Sequence, residues 1–73
     1  STRYQIPSVV KAKIKTKKEY GVFVNIEDGV TGLLHVSELP GDMLDSYRVG
    51  DEIEVQITRI DEDSMKVFLK LPQ

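Results

Sequence analysis

Cysteine is absent from this 73-residue chain, and histidine occurs once, at His35. A disulfide framework is thereby excluded, as is a zinc site of the thiolate or paired-histidine kind. No apolar run approaches the roughly 18 residues that a membrane-spanning helix needs. The five glycines are dispersed, so neither a phosphate-binding loop nor a dinucleotide fingerprint can be drawn through them. No basic start followed by an apolar stretch and a small-residue cleavage site is present, which leaves secretion unsupported and makes a cytoplasmic protein with no membrane contact the expectation. No cofactor or metal is expected from this inventory.

What is present fits one small domain. The apolar fraction of 40% is too high for a disordered segment, and a chain of this length supports a single core. The net charge of -2 argues at first against nucleic acid. That average hides a split, because residues 1–26 carry six positive side chains against one negative, a balance of +5. Residues 27–73 carry four positives against eleven negatives, a balance of -7.

Nine Val, six Ile and four Thr fall in short runs between turn signals, the pattern of an all-β chain. The first strand, 8–17, alternates Val10, Ala12, Ile14 and Thr16 on one face with Lys11, Lys13, Lys15 and Lys17 on the other. The second, 21–27, turns Val22, Val24 and Ile26 inward and Phe23 and Asn25 outward, ending at an Asp28-Gly29 turn. The third, from Val30 to about Val36, alternates Leu34 and Val36 against Leu33 and His35. Pro40-Gly41 then leads to one or two helical turns over 42–47, with Asp42 as the capping side chain. The Val49-Gly50-Asp51 turn opens a fourth strand with Ile53, Val55 and Ile57 inward, closed by the acidic stretch 61–64. The fifth, 65–71, places Met65, Val67, Leu69 and Leu71 on one face and Lys66, Phe68 and Lys70 on the other.

Five short strands leave open edges unless the sheet closes on itself. A five-stranded antiparallel barrel of the oligonucleotide/oligosaccharide-binding (OB) fold, with a short helix or 3-10 turn between strands 3 and 4, is the expected architecture, with an SH3-like barrel as the alternative. The second and third strands of an OB-fold carry its usual ligand face. Phe23 and His35 point outward there, and a bulge at Gly21 would hold the Tyr20 ring on the same side. Flat side chains suit nucleobases, because every base offers a π-face. Lys13, Lys15, Lys17, Lys18 and Lys66 are the candidate phosphate contacts.

These residues resemble a known family, the S1 RNA-binding domain. The run Tyr20-Gly21-Val22-Phe23-Val24-Asn25-Ile26 is similar to its Phe-Gly-Ala-Phe-Val segment, and 29–39 resembles its Gly-Leu-Val-His-Ile-Ser-Glu-Leu segment. Val49-Gly50-Asp51 and Ile60-Asp61 match two further elements, so the likeness spans about 7–71. Ala12 stands where the family usually has glycine, Pro7 where an opening glycine is common, and Phe68 and Lys70 replace serines. An outward Phe68 beside Lys66 either extends the stacking surface or, as the favoured option, packs on the small helix or a neighbouring domain. The resemblance implies an RNA surface of two aromatics, a histidine, an aspartate and a basic residue, here Tyr20, Phe23, His35, Asp61 and Lys66. Alignment from Asp61 puts Met65 at the basic position, whereas alignment from Val67-Phe68-Leu69 puts Lys66 there.

His35, Ser37 and Asp61 invite comparison with a nucleophile, base and carboxylate. No glycine-framed nucleophile turn accompanies them, and no catalytic residue is expected. The Asp61-Glu62-Asp63 tract lacks the glycine and distal glutamate of a calcium loop, leaving a solvated turn. The expected function is binding of single-stranded RNA with little sequence preference, in translation, RNA processing or decay. The domain is expected to be monomeric and to act beside the ribosome or further domains of a longer protein. The alternative is a protein-docking barrel that uses the acidic half.

Overall fold

The computed structural model describes residues 8–27 and 29–72. Strands β1 (Ser8–Lys18), β2 (Gly21–Glu27) and β3 (Val30–His35) are followed by a 3-10 turn (Val36–Glu38) and a short helix α1 (Met43–Ser46). Strands β4 (Glu52–Asp61) and β5 (Lys66–Lys70) complete a closed barrel in the order β1-β2-β3-β5-β4. The expected all-β OB barrel is present. Four of its seams are antiparallel and the β3–β5 seam is parallel. Strict up-down alternation cannot close around an odd number of strands, so one seam has to run parallel.

The inward residues read from alternation form the core. Ala12, Ile14, Val22, Val24, Leu34, Val55, Ile57, Val67 and Leu69 are buried, joined by Leu39 from the segment after the 3-10 turn. Burying each larger aliphatic side chain contributes roughly 1.5–3 kcal/mol. Met43, Leu44 and Tyr47 pack against this core from α1 and its C-terminal end. Burial raises the Tyr47 phenol above its ordinary range, and its hydroxyl donates to Met43 Sδ at 3.3 Å.

Three bulges depart from the alternation, one of them in β2, where Asn25 pairs with Thr31 and Glu27 with Val30 so that Ile26 is extra. In β1, Ile14 pairs with Val24 but Thr16 pairs with Phe23, so Lys15 is an extra residue. The backbone of Ile14 is also tied to the turn before β4: its N–H donates to the Asp51 carbonyl and its carbonyl accepts from Gly50 N–H, both at 2.8 Å. Beyond this point the faces exchange. Thr16, expected inward, joins the outer face beside Phe23, and Lys17, expected outward, lies opposite the buried Val22. Its Nζ donates to the Tyr47 and Asp45 carbonyls at 3.0 and 3.3 Å.

In β4, Ile57 pairs with Leu69 and Arg59 with Phe68, leaving Thr58 as the extra residue, its hydroxyl bonded to the Phe68 carbonyl at 3.1 Å. Continued alternation from Ile57 would have sent Arg59 inward; the bulge sends Ile60 inward and Arg59 out.

Three further expectations are corrected. Gly21 stands in regular register between Lys18 and His35, so no bulge occurs there; Tyr20 is held by the two-residue turn Glu19-Tyr20. Glycine is needed at this position because a Cβ would collide with the Leu34 carbonyl oxygen. Asp42 stands at the start of α1 without a side-chain capping bond. Met65 lies outside β5, in the turn 62–65 with φ +59, and is 78% exposed. The four-residue turn consumes it, and β5 begins one residue later. Pro7 and Asp28, named in the readings of the first strand and the second turn, lie outside the described residues.

Candidate nucleic-acid interface

Cross-strand partners share a face, so the register lays out the outer surface row by row. One row runs Thr16, Phe23, Leu33, Phe68, Arg59 across all five strands. Two residues along each strand, or three along β1 because of its bulge, a second row contains Lys13, Asn25 and Thr31, and then Lys66 opposite Asp61. The β3–β5 register, carried one residue further, sets Thr31 beside Lys66. On the other side of the aromatic row, Gly21 pairs with His35.

A groove of about 460 Å³ lies on this surface, lined by Tyr20 and Phe23 towards β2 and by Phe68, Lys66 and Met65 towards β5, with Leu33 and Thr31 of β3 between them. That volume is within the range of small-molecule sites. Tyr20 and Phe23 meet edge to face, with centroids 6.1 Å apart, a preferred geometry for aromatic pairs. Tyr20 remains 46% exposed. Its carbonyl accepts the Val36 N–H at 2.7 Å, so the Tyr20 turn is fastened to the end of β3.

His35 is exposed at that same end and does not line the groove. Its Nδ1 caps the 3-10 turn, accepting Ser37 N–H at 3.1 Å with Ser37 Oγ at 2.8 Å. In the neutral ring this leaves the proton on Nε2 as an outward donor. Asp61 lies in the row on the far side of the aromatics from His35, so the serine, histidine and carboxylate do not form a relay. Hydrogen bonding from Ser64, side chain first and backbone N–H second, holds the Asp61 carboxyl below its ordinary range, with a smaller contribution from Arg59.

The structure therefore brings Tyr20, Phe23 and Lys66 into one groove, sets Asp61 opposite Lys66 on its rim, and leaves His35 beside it. Met65 and Lys66, alternatives for one position in the sequence, both line the groove. The lysines of β1 are dispersed. Lys13 flanks Asn25, Lys15 occupies the bulge, Lys17 is bound to the carbonyls at the end of α1, and Lys18 lies beside Lys17 and Glu19 near that helix. Glu52 and Glu54 face Lys13 and Lys11 across the β1–β4 seam, so the acidic half of the sequence is in part interleaved with the basic strand.

Two participants escaped the sequence reading, Leu33 as the bridge between two aromatics and Arg59. Phe68, outward beside Lys66 in that reading, stood between extending the stacking surface and the favoured option of packing on the small helix or a neighbouring domain. Phe68 is not among the residues packed on the core; its ring lines the groove and has the Arg59 guanidinium carbon 4.3 Å from its centroid. Arg59 went unnoticed, although the three-residue step from Ile57 to Ile60 is the mark of a bulge that turns it outward.

A model of the S1 RNA binding domain matches residues 3–71. The chain belongs to the S1 RNA-binding domain family. It is 37% identical to the small ribosomal subunit protein bS1 of Pseudomonas aeruginosa over 76 residues, covering 97% of this chain and 14% of that protein. Among solved structures it is similar to the uncharacterized protein MJ1198 of Methanocaldococcus jannaschii, with a TM-score of 0.87, 25% identity, and coverage of 97% and 96% of the two chains. It is also similar to GSP13 of Bacillus subtilis, with a TM-score of 0.81, 30% identity, and coverage of 94% and 56%. The chain thus spans a small part of its ribosomal relative, and S1 membership places it among nucleic-acid-binding modules. No helix among its described residues is long and apolar enough to cross a membrane.

Proposed function

We propose that this S1 domain binds single-stranded RNA on the outer face of β2, β3 and β5, stacking bases on Tyr20 and Phe23. The edge-to-face pair at the mouth of an apolar groove carries this reading. Stacking is worth about 1–3 kcal/mol per base and tolerates any base, which gives affinity with low sequence preference. His35 offers its Nε2–H at the margin. Lys66 supplies a phosphate contact from the groove wall, with Asp61 opposite on the rim, and Lys13, Lys15 and Lys18 add positive charge around it. The similarity to a ribosomal protein favours a cytoplasmic role on ribosome-associated RNA, the domain acting as one weak contact among several whose linkage raises avidity.

Titration with single-stranded hexauridylate, followed by amide NMR, tests the proposal. Shifts should concentrate at Tyr20, Phe23, His35 and Lys66 and weaken as salt rises. Phe23→Ala should lower affinity about tenfold with little loss of thermal stability. The absence of shifts at millimolar oligonucleotide refutes RNA binding.

A further inference from the structure

Phe23 and Tyr20 occupy one end of the groove; its other end is built differently. Phe68 stands two strands from Phe23, about 10 Å away at ordinary strand spacing, with Leu33 between them in the same outward row. Its ring lines the groove, while Arg59 lines a neighbouring shallow depression with residues 60–63. Phe68 is thus a partition, with the groove on one side and the guanidinium 4.3 Å from its ring centroid. Arg59 is free to lie there because of the Thr58 bulge, which also bonds the Phe68 backbone.

Met65 closes the same end. It is the one non-glycine residue with positive φ among the described residues and is 78% exposed, yet it lines the groove. Its left-handed backbone closes the 62–65 hairpin turn between β4 and β5, and that turn leaves the exposed thioether side chain beside the groove.

The geometry points to a second base-stacking subsite, formed by Phe68 and Met65 and braced by Arg59, so that the domain holds two bases of one RNA strand. This rests on the proposed RNA-binding reading and extends it: Tyr20 and Phe23 hold one base, and Phe68 holds a second base further along the chain. Arg59 is a positioning residue that fixes the Phe68 ring. The occupant is a nucleobase because the subsite offers an aromatic face and a flexible thioether, continues the groove of an RNA-binding family, and has Lys66 in place for the phosphate. Leu33 between the rings gives the linking sugar an apolar floor.

Two probes separate the subsites: adenosine 5′-monophosphate, which fills one, and single-stranded hexa-adenylate, which fills both. Phe68→Leu keeps apolar bulk and removes the π-face. It should weaken hexa-adenylate binding about tenfold while changing mononucleotide binding less than twofold. Arg59→Met keeps the stem and removes the charged plane, and should lower the hexamer-to-mononucleotide affinity ratio several-fold. A general loss of structure would weaken both probes together. Phe23→Ala is the control and should weaken both.

If Phe23→Ala weakens hexamer binding and Phe68→Leu does not, the second subsite is wrong and the RNA-binding reading stands. If Phe68→Leu weakens both probes equally while its melting temperature matches the parent's, the groove is one undivided site and the inference fails; a lowered melting temperature transfers this decision to Arg59→Met, whose unchanged hexamer-to-mononucleotide ratio overturns the inference. If the unmodified chain binds neither probe, both fail.

Discussion

Where β1 meets β4, Lys11 faces Glu54 and Lys13 faces Glu52; where β2, β3 and β5 meet, Phe23, Leu33 and Phe68 stand side by side. Both surfaces come from strands that alternate around one core. On the first, each outward charge has an opposite charge as its cross-strand neighbour, an arrangement that contributes modestly to pairing and keeps the surface soluble. On the second, apolar side chains occupy the outward positions of three adjoining strands. A single exposed aromatic is ordinary, but a contiguous row leaves apolar area in water that folding alone does not require. The ladder is explained by folding and solubility, whereas the row calls for a ligand.

The largest expected effect tests what holds the aromatic face together. Gly21→Ala forces a Cβ against the Leu34 carbonyl where β2 leaves the Tyr20 turn. It should destabilise the barrel by about 3 kcal/mol, combining backbone strain and overpacking, measured as a fall in the urea midpoint. Unchanged stability would show that this close approach does not fix the Tyr20 turn to β3.

A smaller effect asks where the charged ladder ends and the RNA face begins. Both lysines face a glutamate across the β1–β4 seam, but Lys13 also shares a row with Asn25 and Thr31 on the β2 side. Lys13→Gln should reduce the slope of log affinity against log salt by about 0.7, the value for one phosphate contact on a single strand. Lys11→Gln should leave the slope unchanged, and equal effects would erase the boundary drawn between the faces.

The smallest effect concerns Asp61 at the rim. Ser64 holds its carboxyl below the ordinary range, so it binds a proton less readily folded than unfolded. The stabilisation is present above the ordinary carboxylate value near pH 4 and is lost as pH falls through the depressed folded value. Thermal unfolding of Asp61→Asn should show a slightly shallower fall in melting temperature below about pH 4 than the parent; identical acid limbs would show that the Ser64 contact contributes nothing.

Much of this molecule was legible in its residues. Val22, Val24, Leu34, Val55 and Ile57 were inward by alternation alone and form the core, and Tyr20, Phe23 and Lys66 share one groove. Other positions were not legible because alternation carries no information across a bulge. Thr16 and Lys17 exchanged faces after Lys15, and Arg59 turned outward after Thr58. Met65 followed the period of β5 but was taken into its turn, and the His35 ring, read as an exposed flat side chain, also caps the 3-10 turn.

The sequence by itself determined the strand faces between bulges, the order of strands and turns, and the family, since these follow from local alternation, from residues suited to turns and from motifs in order. The tertiary structure decided which outward side chains are neighbours. Closure of five strands set Phe68 on β5 beside Leu33 on β3, thirty-five positions earlier in the chain, and the bulge at Thr58 put Arg59 against it. Register between distant strands is fixed by the whole barrel packing at once, and no local stretch of residues encodes it.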